Sequence, residues 1–412
     1  MQQKVVYAGS VAASFASASE LLADLADLAV PAKQVERLTR GVGTQRVEQR
    51  DAAVAAFQSL PLAERFDAPA TARPPDLAVV FVDGGRLQIR ERGEAAGASA
   101  AADAGPWEPE PVPEKGFWRE DKVGLLAEMT STPRGADPCP DVPPGFLDVL
   151  RIPVLARELG KVSAPVESDA GGPEPVGGAG EGSAAGAAYQ PPEVTKRTVV
   201  GSCQPWPTFA LVVAQAAWAA GLHKSKRKAF VADGAANNWR LRERFFGSFV
   251  AVLDFIHALS YVYAAATAGR PFEWGWGCYR KWISWVWKGE VARVIEELRQ
   301  RQQEVGLPGE GEAETSVRSV VARALGYLTR HQDKMRYDEY RKEGLPITSS
   351  LMESVIKRMN QRVKGSEKFW CQEGAESIVQ LRADHLSDGA PLDEFFQQRQ
   401  DNATGQRRYR AA

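Results

Sequence analysis

The chain has 412 residues, 44% of them hydrophobic, enough to bury at least one large core and to support two or three structural units. Its 51 basic and 52 acidic residues leave a net charge of -1, which argues mildly against a nucleic-acid binder in bulk, so any phosphate contact must come from local clusters. Nowhere are there the ~18 to 20 uninterrupted apolar residues of a membrane helix, and the opening residues lack a basic start with a clean apolar run, so a cytosolic protein is expected.

Residues 1–70 read as a helical region. Leu21, Leu22, Leu25 and Leu28 share one face, Val30-Pro31 breaks the run, and a second helix starts near Ala32. The pair fits a helix-turn-helix and a helical packing arm equally well.

The interval 71–162 opens with a β-rich run, LAVVFVD, ending at Asp83. Gly84-Gly85 then signals a turn and RLQIRE a returning strand, so a hairpin is expected, with KVGLLAEMTS as the third strand. Between them, about 92–116 is rich in Gly, Ala, Pro and Glu and reads as a flexible loop. Residues 163–192 have the same bias and read as a disordered linker, unable to bury enough apolar area to offset the entropy of ordering.

Over 193–256 the pattern becomes helix, strand, helix, strand. A helix from about Pro207 to Leu222 precedes AFVAD, which ends at Asp233; NNWRLRERFFG then leads to FVAVLD, which ends at Asp254. Residues 257–340 read as an all-helical insertion with a break near 307–314. Residues 341–395 carry a last long helix, with Ser349 or Ser350 as N-cap and Gly365 as its stop, and 396–412 form a polar tail.

Three carboxylates stand out. Asp83 and Asp233 each end an apolar strand and precede a glycine, and Glu353 sits early on a helix. If the two strands lie side by side, two carboxylates meet at a sheet edge and repel unless cations bind between them. Two magnesium ions held by hard oxygens, with manganese as a substitute, would serve in-line phosphoryl transfer, and such ions need no histidine or cysteine cage. Taken singly, a strand-end Asp-Gly is as readily a turn.

On the helix of Glu353, Met352, Val355, Ile356, Met359 and Val363 form an apolar stripe, while Glu353, Lys357, Asn360 and Lys364 share another face. Lys357, Arg358, Arg362 and Lys364, with a second cluster of Lys224, Lys226, Arg227 and Lys228, are candidate DNA-backbone contacts beside the carboxylates; as bare surface charges they would add only i to i+4 pairing.

These blocks also occur in a family-like order: VDGG, then Trp118-Arg119-Glu120 and Lys122, then VADGAANNW, LDFIH, MRYDEYRKEGLPITSSLMES, QRVKGSEKFW and EGAESIVQLRA. Together they resemble the DDE transposases of bacterial insertion sequences, the ISKra-type group, over about residues 15–390 and most specifically over 337–381. The resemblance implies an RNase H-like α/β core, a mixed five-stranded sheet flanked by helices, interrupted by an all-helical insertion before the last catalytic helix. It puts Asp83, Asp233 and Glu353 on the catalytic and metal-binding positions.

It also makes Asp254 and His257 a D-x-x-H signature with an auxiliary role, although at i and i+3 they equally fit a helix cap. The implied activity is cleavage at insertion-sequence ends and strand transfer into target DNA, by a homodimer associated with the nucleoid. Ser349-Ser350 departs from the Ser-Gly expected before the Glu, and members often carry more sequence ahead of residue 15. A truncated or inactive DNA-binding derivative, and an RNase H-like nuclease without strand transfer, are therefore the alternatives.

Trp274, Trp276, Trp282, Trp285 and Trp287 fit a helical core or a platform for unpaired bases. Cys139, Cys203, Cys278 and Cys371 are widely spaced, and His223, His331 and His385 have no neighbour at ligand spacing. A G-x-S-x-G elbow and a phosphate-binding glycine loop are both missing, so neither serine chemistry nor a nucleotide cofactor is expected.

Overall fold

The computed structural model describes residues 1–90, 107, 118–162, 190–365 and 368–401. Apart from Trp107, the expected flexible loop at 92–116 lies outside the described residues, as do most of the expected linker at 163–192 and most of the polar tail.

At the centre is a mixed open sheet flanked by helices. Its strands are β1 (Leu77–Ile89), β2 (Trp118–Thr130), β3 (Glu193–Ser202), β4 (Arg227–Ala232), β5 (Val250–Leu253) and the two-residue β6 (Phe369–Trp370). The order is β3-β2-β1-β4-β5, with β6 on the far end of β1. β1, β2 and β3 run antiparallel in succession, whereas β4 is parallel to β1 and β5 to β4. The central run LAVVFV is completely buried, as expected of a strand covered on both faces.

The expected hairpin at Gly84-Gly85 does not form. β1 continues through both glycines, which pair with Lys122 and Asp121 of β2. Their lack of a side chain serves close approach: a Cβ on Gly84 would stand 2.8 Å from Glu120 Oε1, and one on Gly85 2.7 Å from Asp121 Oδ1. The 71–162 interval therefore supplies two strands, and the strand that completes the antiparallel half is β3, whose polar start TKRT hid it.

Helices cover both faces. The N-terminal region comprises α1 (Gln2–Val11), α2 (Phe15–Ala26), α3 (Ala32–Ser59) and the short α4 (Leu62–Arg65), and α5 (Arg151–Glu158) precedes β3. α6 (Trp206–Ala219) and α7 (Ala236–Phe245) flank β4 in sequence. α8 (Phe255–Thr267), α9 (Phe272–Trp287), α10 (Val291–Val305), α11 (Val317–His331) and α12 (Tyr337–Lys342) follow, and then α13 (Ser350–Val363), α14 (Gln372–Leu386) and α15 (Pro391–Asp401).

α3 lies along α14. Arg46 makes a two-pronged contact to Asp384 at 2.8 and 3.0 Å, and Arg50 meets Glu376 at 2.7 Å. The second helix of the N-terminal pair is thus docked on the C-terminal half. Trp282 and Trp287 are buried, with Trp287 Nε1 donating to the Cys139 carbonyl at 2.7 Å, whereas Trp274 is 66% exposed.

Strand alternation divides the sheet faces. Gly124 faces Phe209 and Val213 of α6, whereas Gly201, paired with Val123, faces Met359 of α13 and Val379 of α14. Asp83 pairs with Val123, and Gly85 with Asp121, so these four positions look toward α13.

Candidate active site

Phe81 pairs with Val231 in the last parallel pair of β1 and β4; two residues further on lie Asp83, midway along β1 where that pairing stops, and Asp233, just past the end of β4. Asp83 is half-buried and its Oδ1 accepts the N–H of Gly84 at 2.7 Å. Loss of water around it and the nearby charge of Asp233 push its carboxyl up to about 7. Asp233 is held by its own turn: Oδ1 accepts from Ala235 N at 3.0 Å and Asn238 Nδ2 at 2.9 Å. Gly234 takes φ 102°, and Tyr327 of α11 donates its hydroxyl to the Asp233 carbonyl at 2.6 Å.

The end of β5 supplies the next group. Asp254 is the N-cap of α8, accepting the His257 N–H at 3.0 Å, and the same oxygen meets His257 Nδ1 at 2.7 Å. Burial works against charge on His257, but the hydrogen bond and charge of Asp254, joined by Asp233 and Asp83, lift it to about 9. An imidazolium therefore stands among carboxylates at neutral pH. Asp254 thus caps α8 and at the same time holds the His257 ring, on which the charges of Asp233 and Asp83 also act.

Glu353 sits in the first turn of α13 and is half-buried. Burial and then Asp254 raise its pKa, while His257 and Lys357 lower it. The charges acting most strongly on it are thus those of the Asp254–His257 pair, which also acts on Asp83. The charges of Asp83, Asp233 and Asp254 all act on His257, and Asp254 and His257 in turn act on Glu353. Among the described residues, no three His, Cys, Asp or Glu side chains are gathered into a metal-holding group. In kind, the hard oxygens of a mutually repelling Asp pair fit a divalent cation.

The cations separate into two groups. Lys357 and Arg358 are exposed on α13, and Lys364 is exposed just past its C-terminal end. Arg362 is not available to DNA as expected: it is 2% exposed, its Nε donates to the Gly9 carbonyl at 3.0 Å, and its guanidinium lies 4.5 Å from the Phe15 ring centroid. At residue 362 the helix turns toward the N-terminal helices, which a surface-face reading of the sequence did not anticipate.

The other cluster is likewise misplaced by sequence adjacency. Lys224 to Lys228 precede or begin β4 and Asp233 follows it, so about 20 Å of strand separates them. There Lys224 meets Asp67 at 2.7 Å, Arg227 pairs with Asp76, and Lys228 donates to the His223 carbonyl at 2.9 Å; Lys226 is exposed.

Two contributors went unnoticed in the sequence. Asn238 locks Asp233, and its signal is the i+5 position in ADGAANN. Asp121, inside the WREDK block, is fully buried on the face of Asp83. No helix among the described residues is long and apolar enough to cross a membrane. Compared with models of known protein families and with curated proteins, the chain matches none.

Proposed function

We propose that this chain is a DDE-type transposase, cutting DNA at element ends and joining the freed 3′-hydroxyls to target DNA. The observation that carries this reading is the Asp83–Asp233 pair where the parallel pairing of β1 and β4 stops, with the Glu353 helix over the same face. The strand order, three antiparallel strands followed by two parallel ones, supports an RNase H-like core.

Asp83, Asp233 and Glu353 would hold magnesium or manganese, which when bound activates a water or 3′-hydroxyl and stabilises the leaving oxygen. The protein's own share is positioning. Asp254 fixes the His257 ring, His257 offsets the repulsion among the carboxylates, and Lys357, Arg358 and Lys364 offer exposed cations to phosphates along α13.

The test is a nicking and strand-transfer assay on duplex DNA carrying the element's ends, with Mg²⁺ or Mn²⁺. Asp83→Asn, Asp233→Asn and Glu353→Gln should each retain DNA binding and lose cleavage by at least ~100-fold. Cleavage persisting in all three variants would overturn the assignment.

A second reading, a derivative that binds DNA without cutting it, is favoured by there being no gathered group of three metal-holding side chains among the described residues. Wild-type binding without nicking in any divalent cation would select it. Cutting without joining to a second DNA would instead select an RNase H-like nuclease.

A further inference from the structure

Asp121 is fully buried, and among the described residues neither of its carboxylate oxygens has a hydrogen-bond partner. Asn360 Oδ1, on α13, is also buried and without a partner. The three oxygens surround one spot: the position a Cβ of Gly85 would take lies 2.7 and 2.9 Å from Asp121 Oδ1 and Oδ2 and 3.1 Å from Asn360 Oδ1. All three are acceptors. Buried acceptors facing one another without a donor are costly, because each has given up water and received nothing in return.

The neighbouring Lys122 acts on Asp121 through its charge but gives it no hydrogen bond. By strand alternation Lys122 points to the opposite face of β2, where its Nζ lies 3.6 Å from Glu120 and 5.7 Å from the Trp206 ring centroid. Lys364, exposed just past the end of α13, likewise acts on Asp121 only through its charge. Gly85 leaves the space over the strand open, and β2 and α13 wall it with oxygen.

We propose that Asp121 and Asn360 form a cation site for a hard, oxygen-seeking metal ion, distinct from the Asp83–Asp233 pair and on the same face of the sheet. Two residues of β1, about 7 Å, separate Gly85 from Asp83. Asn360 follows Glu353 by about two turns of α13, so an ion there clamps the far end of the helix that carries Glu353. Asp121 supplies one or two oxygens and Asn360 a neutral one, a donor set of the magnesium and manganese class.

The test is Mn²⁺ binding, followed by electron paramagnetic resonance of the free ion at pH 7.5, in the full chain carrying Asp83→Asn and Asp233→Asn to silence that pair. About one Mn²⁺ per chain should remain bound, and adding Asp121→Asn or Asn360→Ala should weaken it by at least ~10-fold. Asn360 is only half-buried, so its variant tests the site even if Asp121→Asn folds poorly. No retained Mn²⁺, or retained Mn²⁺ indifferent to both changes, overturns the proposal and leaves a proton or a rotated Asn360 amide to join the two groups. No DNA is involved, so this outcome is separable from the fate of the transposase reading.

Discussion

Asp254 Oδ1 accepts the backbone N–H of Ser349 at 2.7 Å, joining the end of β5 to the residue immediately before α13. Its other oxygen holds His257, and the adjacent Phe255 N–H donates to the Ile347 carbonyl at 2.9 Å. One buried carboxylate thus sets the start of α13, and with it Glu353, relative to a sheet edge far away in sequence.

Asp254→Ala should therefore cost about 2–4 kcal/mol in urea unfolding, because it strands the Ser349 N–H and removes the counter-charge of His257. In the same variant the His257 imidazole should titrate well below its value of about 9. An NMR titration of the ring protons checks this; an unchanged histidine titration would show that Asp254 is not its main partner.

Asp83 makes stability depend on pH in a definite direction. Its pKa rises from the usual 3.8 to about 7, so the folded state binds the proton more tightly than the unfolded chain. Its contribution is complete below about pH 4 and is lost as pH rises toward 7, by an amount on the order of 3–4 kcal/mol. With chelator present, Asp83→Asn should match wild type in thermal melting at pH 4 and exceed it at pH 8. Parallel curves for the two proteins would rule out a strained carboxylate pair.

The carboxylates were legible because an aspartate that closes an apolar run stands out, as in VVFVD and AFVAD, although β1 runs on past Asp83. What misled the reading was backbone context. Gly84-Gly85 carries the same local signal whether the chain turns or merely passes close to Glu120 and Asp121, and only the partner strand decides between them. Lys224 to Lys228 adjoin Asp233 in sequence, but an extended strand converts six residues into the length of the sheet. Arg362 belongs to a helical face whose neighbours, Phe15 and Gly9, come from the opposite end of the chain.

If α13 meets DNA, its exposed cations should govern the salt response. Lys357→Ala, Arg358→Ala and Lys364→Ala combined should lower the slope of log K against log salt by about 3, without altering sequence preference. Arg362→Ala should instead destabilise the fold and leave the slope of the remaining folded protein unchanged. Fluorescence anisotropy from 50 to about 200 mM salt distinguishes the two, and equal slopes in wild type and the triple variant would remove α13 from the interface.

His223 is buried between Phe246, stacked at 5.5 Å, and Phe249, set edge-on at 5.5 Å. Burial, and then Lys228, lower its pKa to about 4. The folded state therefore rejects a proton that the unfolded chain accepts. Its contribution is fully present above about pH 6.5 and lost as pH falls toward 4, on the order of 3 kcal/mol. His223→Phe should flatten the acid limb of the stability profile in that window; urea midpoints that fall with pH as steeply as in wild type would exclude it.

Two glycines should respond oppositely to alanine. At Gly277, inside α9, an added Cβ meets nothing within 4 Å, so Gly277→Ala should stabilise by about 0.5–1 kcal/mol through backbone entropy alone. At Gly85 the same methyl would press on both oxygens of Asp121 and on Asn360, and the walls are a β-strand and the packed face of α13. Neither can retreat without moving Glu353 or opening β1 from β2, so Gly85→Ala should destabilise by about 1–3 kcal/mol. Chemical denaturation of the two variants beside wild type measures both effects; a neutral Gly85→Ala would mean that the contact between α13 and the sheet is looser at this point than its geometry requires.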